Sequence, residues 1–242
     1  MLTSNTYPAD QVLSAEVMAH GRAGVWFLNW KIESKPPKAR VDRDAGTAFA
    51  GAGLYGLCFD DRLVYLGSYL GAGKSGAFAT GDVVKARWWT HVGAITARGD
   101  HVHIARASLR ALLADPGPQH PMVAGFMAAA EPARLHKDDG TLSPLRRLRF
   151  ALRHSDVFLG EGTQPQDVLP RFSYTYCRFD AQPDGLSSAA WKQHIEAAER
   201  QLIQRLAPAC NTKHVPEGKS PAVVSCAEVA ALLERELAFV GG

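Results

Sequence analysis

The chain carries two hydrophobic rhythms. Residues 53–59 and 63–67 are short apolar runs separated by Asp60-Asp61-Arg62. Two runs of strand length joined by a polar triplet predict a β-hairpin. "RFSYTYCRF" (171–179) is rich in aromatic and β-branched residues and predicts another strand. "AGVWFLNWKI" (23–32), "DHVHIA" (100–105) and "DVFLGE" (156–161) also read as strands. Helical spacing of Val12, Leu13, Val17 and Met18 predicts a short amphipathic helix over 9–20. "GDVVKARWWTHVGAIT" (81–96) predicts a helix with Asp82 at its N-cap. Further helices are expected over 106–114, 121–130, 141–154, 187–206 and 227–239, the fourth ending before Pro208.

Composition adds a boundary and a few exclusions. The polar, proline-bearing "ESKPPKARVDRDAG" reads as a connector, which places a boundary near residue 46. A chain that is 46% hydrophobic and 21% charged, without repeats or low-complexity tracts, is globular. The net charge of +3 argues little about partners, but it is unevenly spread. Arg146, Arg147, Arg149 and Arg153 form one basic cluster, and Lys31, Lys35, Lys38, Arg40 and Arg43 another. Such clusters bind phosphate only where other features bring nucleic acid near. The four cysteines show no Cys-x-x-Cys pair and no zinc spacing. A polar N-terminus and the lack of a long apolar run predict a soluble, cytoplasmic protein with no membrane partner.

The stretch "VYLGSYLGAGKSG" (64–76) supports two incompatible chemistries. Gly73-Lys74-Ser75 resembles the end of a phosphate-binding loop, but that loop requires glycine at position 68, where Ser68 stands. "GAFATGDVV" after Lys74 also gives no immediate helix to aim a dipole at phosphates. No nucleotide cofactor is therefore expected. Lys74 remains a flexible cation, a candidate nucleic-acid contact beside the other half of the stretch.

That other half belongs to an ordered set. Gly53-Leu54-Tyr55 precedes Tyr65-Leu66-Gly67 by a hairpin's length; Arg87 and His91 follow at helical spacing; Glu199 lies on a later helix; and Pro208 and Asn211 close it. The set resembles the GIY-YIG nuclease family over roughly 51–98 and 171–211. The resemblance implies an α+β fold with a small, mainly antiparallel three-stranded sheet flanked by helices. The core would span 47–100 and 169–215, between an N-terminal extension (1–46) and a C-terminal helix (216–242). Residues 101–168 would be an inserted helical subdomain. It further implies a divalent-metal-dependent DNA endonuclease using Mg2+ or Mn2+, here of restriction type. Two rivals are an inactive module of the same fold, binding nucleic acid or a protein, and an enzyme acting on RNA.

The residue types suit phosphodiester hydrolysis, which needs an activated water, charge neutralisation and help for the departing oxygen. Glu199, at the margin of an apolar helix stripe, is the candidate metal ligand. Arg87 offers a bidentate fork to phosphate, and His91 a proton shuttle or phosphate donor. Tyr55 is the candidate base or water-orienting group, Tyr65 adds a second hydroxyl, and Asn211 could position Tyr55 or a water. Arg146, Arg149 and Arg153 share one helical face and are candidate DNA contacts. Tyr55 and Tyr65 share a sheet face only if the hairpin loop has three residues or a bulge intervenes. His101 and His103 could form a zinc pair, but no third ligand is apparent.

Overall fold

The structure, a computed structural model, describes residues 1–42, 48–71, 81–114, 121–137, 144–160, 162–182, 184–185 and 187–238. Lys74 lies outside these residues. The chain divides into two compact units, one of Met1–Val12, Lys35–Arg87 and Pro170–Gly242, the other of Leu13–Ser34 and Trp88–Leu169.

The strands are β1 (Leu2–Pro8), β2 (Leu13–Val17), β3 (Trp30–Ser34), β4 (Ala52–Phe59), β5 (Arg62–Leu70), β6 (Ile104–Ala105), β7 (His136–Lys137) and β8 (Phe172–Phe179). The fold is α+β. In the first unit β1, β8, β4 and β5 form one sheet in that order, every pairing antiparallel. The expected three strands are thus joined by a fourth, β1, whose "LTSNTYP" lacks an apolar period. It is held by register with β8 and by a Thr6–Thr175 hydroxyl hydrogen bond of 2.9 Å.

The β4–β5 turn has two residues, not three. Asp60 (φ 47°) and Asp61 (φ 60°) are both left-handed, a combination that short polar side chains tolerate and that matches strand twist. A two-residue turn alone would send Tyr55 and Tyr65 to opposite faces. The register shifts between Leu57 and Cys58, however, which pair with Tyr65 and Leu63 and leave Val64 as the extra residue. The bulge restores parity. Tyr55 faces Gly67, Tyr65 faces Leu57, and all lie on one face.

All six tyrosines of the chain share that face. Tyr69 follows from its pairing with Gly53, Tyr176 and Tyr174 from pairing with Tyr55 and Leu57, and Tyr7 from pairing with Tyr174. The opposite face holds Leu54, Cys58, Leu66 and Cys177 and is covered by the helices Ser188–Leu206 and Cys226–Leu237. Trp191, Ile195, Ala198, Leu202 and Leu206 make the buried stripe of the longer helix at three- and four-residue steps. Each large apolar side chain so buried contributes about 1.5–3 kcal/mol. Ser187 caps this helix by accepting from the Ala190 amide at 3.2 Å. Ser225 and Glu228 form a capping box on the other helix.

In the second unit β2 and β3 pair antiparallel, and β6 and β7 form a short parallel pair. The predicted helix over 9–20 is therefore one turn, Ala9–Val12, followed by a strand. Leu13 and Ile32 are buried by the β2–β3 pairing, which outweighs the local helical spacing. "DVFLGE" is likewise not a strand: Ser155–Phe158 is a helical turn whose Phe158 packs near Phe150. "AGVWFLNWKI" becomes a strand only from Trp30, its earlier part turning so that Val25, Phe27 and Leu28 are buried. The Arg98 guanidinium is buried among these groups, donating to the Phe158 carbonyl at 2.7 Å and to Asn29 Oδ1 at 3.0 Å.

Candidate active site

Tyr55, Tyr65, Arg87 and Glu199 all belong to the first unit, the two tyrosines on one face of the sheet and Glu199 on a helix that covers the other. Tyr55, on the inner strand β4, is 2% exposed, and its ring centroid lies 6.3 Å from that of half-buried Tyr65. Gly67 makes this packing possible. A Cβ there would fall 2.5 Å from Tyr55 Oη, so any side chain would displace the phenol. The Tyr55 hydroxyl is pushed well above its ordinary range, first by burial, then by Tyr65 and Glu199, while Arg87 pulls it down. Tyr55 therefore carries its proton at neutral pH and is a hydrogen-bond donor, not a resident phenolate.

Glu199 lies on the helix Ser188–Leu206 beside edge strand β5. Its Oε2 accepts a 2.6 Å hydrogen bond from Ser68 Oγ. Burial raises the carboxyl's pKa, while the Ser68 hydrogen bond and the His214 charge oppose the shift. A cation fits such a group, because it restores the favourable electrostatics that burial removes. Among the described residues no cluster of three or more His, Cys, Asp or Glu could hold a metal. A lone carboxylate suits a hard ion that retains most of its water shell, as Mg2+ does.

Arg87 is exposed and stands in a π-helical turn, Val84–Trp88. Asp82 secures the start of this segment: its Oδ1 accepts from the Lys85 amide at 3.0 Å and its Oδ2 pairs with Arg40 at 2.8 Å. The Asp82 amide donates to Tyr69 Oη at 3.2 Å. The Arg87 charge also opposes the burial-driven rise of Tyr69.

Asn211 does not use its amide as expected. Oδ1 accepts from the Leu66 amide and Nδ2 donates to the Leu66 carbonyl, both at 2.8 Å. The side chain thus imitates a strand residue along β5 and fixes the backbone between Tyr65 and Gly67. It positions the site through that strand. His91 belongs to the second unit, buried on the helix Trp89–Thr96. Arg149 and Arg153 are exposed and Arg146 half-buried on the helix Leu145–Arg153, whereas neighbouring Arg147 is buried. His103 hydrogen-bonds to Arg22 at 3.1 Å, and burial with the Arg22 charge lowers it to about 4. His101 Nε2 contacts the Thr90 carbonyl at 3.2 Å.

Sequence reasoning missed Ser68, Tyr69 and His214. Ser68 and Tyr69 continue β5 beyond the Tyr-Leu-Gly signature, and a strand extended to Leu70 would have shown Tyr69 on the tyrosine face. His214 follows Asn211 in an irregular segment and gives no periodic signal. No protein-family model, no curated protein and no solved structure matches the chain.

Proposed function

We propose that this protein is a divalent-metal-dependent DNA endonuclease of GIY-YIG type, restriction-like in its use of extensions around a small catalytic sheet. One observation carries the reading. The bulged hairpin sets Tyr55 and Tyr65 on one face in contact, with Arg87 and Glu199 both acting electrostatically on Tyr55. The sequence resemblance names the same residues from their order alone.

Each side chain has a distinct task. Arg87, exposed and permanently charged, takes the non-bridging phosphate oxygens through its planar fork. Tyr55, held in the protonated state, orients the attacking water by hydrogen bonding and can release its proton only toward increased local positive charge. Tyr65, half-exposed, offers a second hydroxyl. Glu199, oriented by Ser68, would hold the divalent ion through its carboxylate. Such an ion supplies Lewis-acid neutralisation of the charge that builds on phosphate. His91 is not needed for this reading.

The burial of Tyr55 at 2% exposure favours one rival, a non-catalytic module that keeps the fold and binds nucleic acid or protein. Plasmid DNA incubated with Mg2+, Mn2+ or EDTA separates the two. Metal-dependent discrete fragments support the nuclease. Binding without cutting under all three conditions refutes it. Cleavage of single- or double-stranded RNA in place of DNA would redirect the substrate class.

A further inference from the structure

On the helix-covered face of the sheet, opposite the tyrosines, two cysteines meet. Cys226 opens the helix Cys226–Leu237, and its Sγ lies 3.1 Å from Ser173 Oγ and 3.7 Å from Thr175 Oγ1. Cys58, whose residue pairs with Ser173 across β4 and β8, lies in the same buried cluster, and its thiol acts on the Cys226 thiol. Thr175 is tied in turn to Thr6. Cys226 lines a cleft of about 720 Å³ together with Thr6, Asp60, Arg171 and Ser173. Cys58 is fully buried behind it, while Cys226 is 9% exposed.

Cys58, Ser173 and Thr175 surround one sulfur in the first turn of a helix, and this arrangement stabilises a thiolate. The Cys226 thiol is pulled down to about 6, first by the Cys58 hydrogen bond, with burial opposing and the two hydroxyls assisting. The Cys58 thiol is pushed up, first by that same hydrogen bond, and keeps its proton. The charged groups nearby do not cancel this arrangement. Asp61, which opposes it, accepts the Cys226 amide at 3.2 Å, and Asp60 is paired with Arg171.

We propose that Cys226 is a nucleophile for hydroperoxides entering this cleft, and that Cys58 resolves its oxidised form into a Cys58–Cys226 disulfide. The Cys226 thiolate attacks one peroxide oxygen, the O–O bond breaks, and Sγ becomes a sulfenic acid. The departing hydroxide or alkoxide takes up a proton. Sulfur loses two electrons and the peroxide gains them. The Cys58 sulfur then attacks Cys226 Sγ, forming the S–S bond as the S–O bond breaks, and hydroxide leaves with the Cys58 proton as water. Two thiols and one hydroperoxide yield one disulfide, one water and one alcohol, the alcohol being water when the oxidant is hydrogen peroxide. The device acts at a separate site and does not depend on the nuclease reading.

Cys177 and Cys210 are internal controls. Both are buried. The Cys177 thiol is raised to about 12, with burial first among the causes.

The whole chain of 242 residues is treated with limiting hydrogen peroxide, its remaining thiols are alkylated, and its peptides are mapped without reduction. The expected product has lost two hydrogens and carries a peptide cross-link between Cys58 and Cys226, with Cys177 and Cys210 alkylated only after denaturation. Cys58→Ser is expected to stop at a sulfenic acid on Cys226 that dimedone traps, and Cys226→Ser to lose both products. Oxidation of the wild type no faster than that of Cys226→Ser overturns the proposal, as does a cross-link map lacking this pair. Should either variant melt well below wild type, the wild-type map and the pH dependence of Cys226 alkylation decide. A midpoint near 6 supports the site, and one near the ordinary ~8.5 overturns it.

Discussion

Replacing Glu199 with glutamine separates the chemistry of the carboxylate from its place in the fold. Two terms set its effect on stability. The Ser68 hydroxyl donates to Oε2 at 2.6 Å, and exchanging a charged acceptor for a neutral one weakens that bond by about 1 kcal/mol. Burial, the leading cause of the raised pKa, works in the other direction. An acid whose folded pKa exceeds its unfolded value gives its full stabilisation below the unfolded pKa and loses it as pH rises through the folded one. At pH 7 the wild type therefore carries the cost of a buried charge that glutamine avoids. The opposing terms leave Glu199→Gln within about 1 kcal/mol of wild type. Catalysis has no such compensation. Loss of the group that holds the cation is expected to reduce cleavage by ~10³-fold or more, equivalent to about 4 kcal/mol of transition-state stabilisation. Calorimetric melts with and without Mg2+, alongside single-turnover cleavage, read both effects. At a metal concentration of 100 Kd the wild type gains about 2.7 kcal/mol and the variant nothing. Equal metal-induced shifts in the two proteins, or retained cleavage, would refute the assignment of Glu199.

Tyr55→Phe should cut the cleavage rate by roughly a hundredfold while DNA binding persists; wild-type turnover would exclude the phenol from the chemistry. Ser68→Ala removes a hydrogen bond that holds the Glu199 pKa down, so the acid limb of the rate–pH profile should move to higher pH. Ser68→Thr should restore it, and an unmoved limb in the alanine variant would dissociate Ser68 from Glu199. Asn211→Ala deletes two buried hydrogen bonds to Leu66 and should destabilise the protein by about 2–4 kcal/mol in urea unfolding. A loss below ~0.5 kcal/mol would show that the edge strand does not depend on them. Arg146, Arg149 and Arg153 changed together to alanine should lower the salt slope of DNA binding by roughly one unit per lost phosphate contact, on every sequence alike. Parallel slopes would mark this face as solvated surface.

The hairpin was legible because "DD" interrupts two apolar runs, and the tyrosine pairing was legible as a condition on loop parity. The bulge that satisfies the condition was not, since an extra Val64 leaves no mark in a strand already rich in leucine and tyrosine. Strand β1 escaped notice for a related reason. Its side chains are mostly half-buried or exposed, so it forms through pairing with a distant partner and carries no alternating pattern. The segment 9–20 shows the converse: local helical spacing yielded to a β pairing with residues 30–34. Within the site, Tyr55, Tyr65 and Glu199 could be read from motif order. Ser68 could not, because its role depends on a helix that begins more than a hundred residues later.

The first strand also imposes an order of events on synthesis. Among the described residues β1 has its ladder partner in β8 alone, with Leu2 set against Phe179 and Pro8 against Ser173. At ~5–20 residues per second, translation leaves roughly 10–30 s between the emergence of these two segments. During that interval a strand with open donors and acceptors must avoid other chains. Its polar sequence suits the wait, because "LTSNTYP" offers water hydroxyls and amides where an apolar strand would offer an adhesive edge. The same weak hydrophobic signal that hid β1 from view protects the nascent chain until its partner arrives.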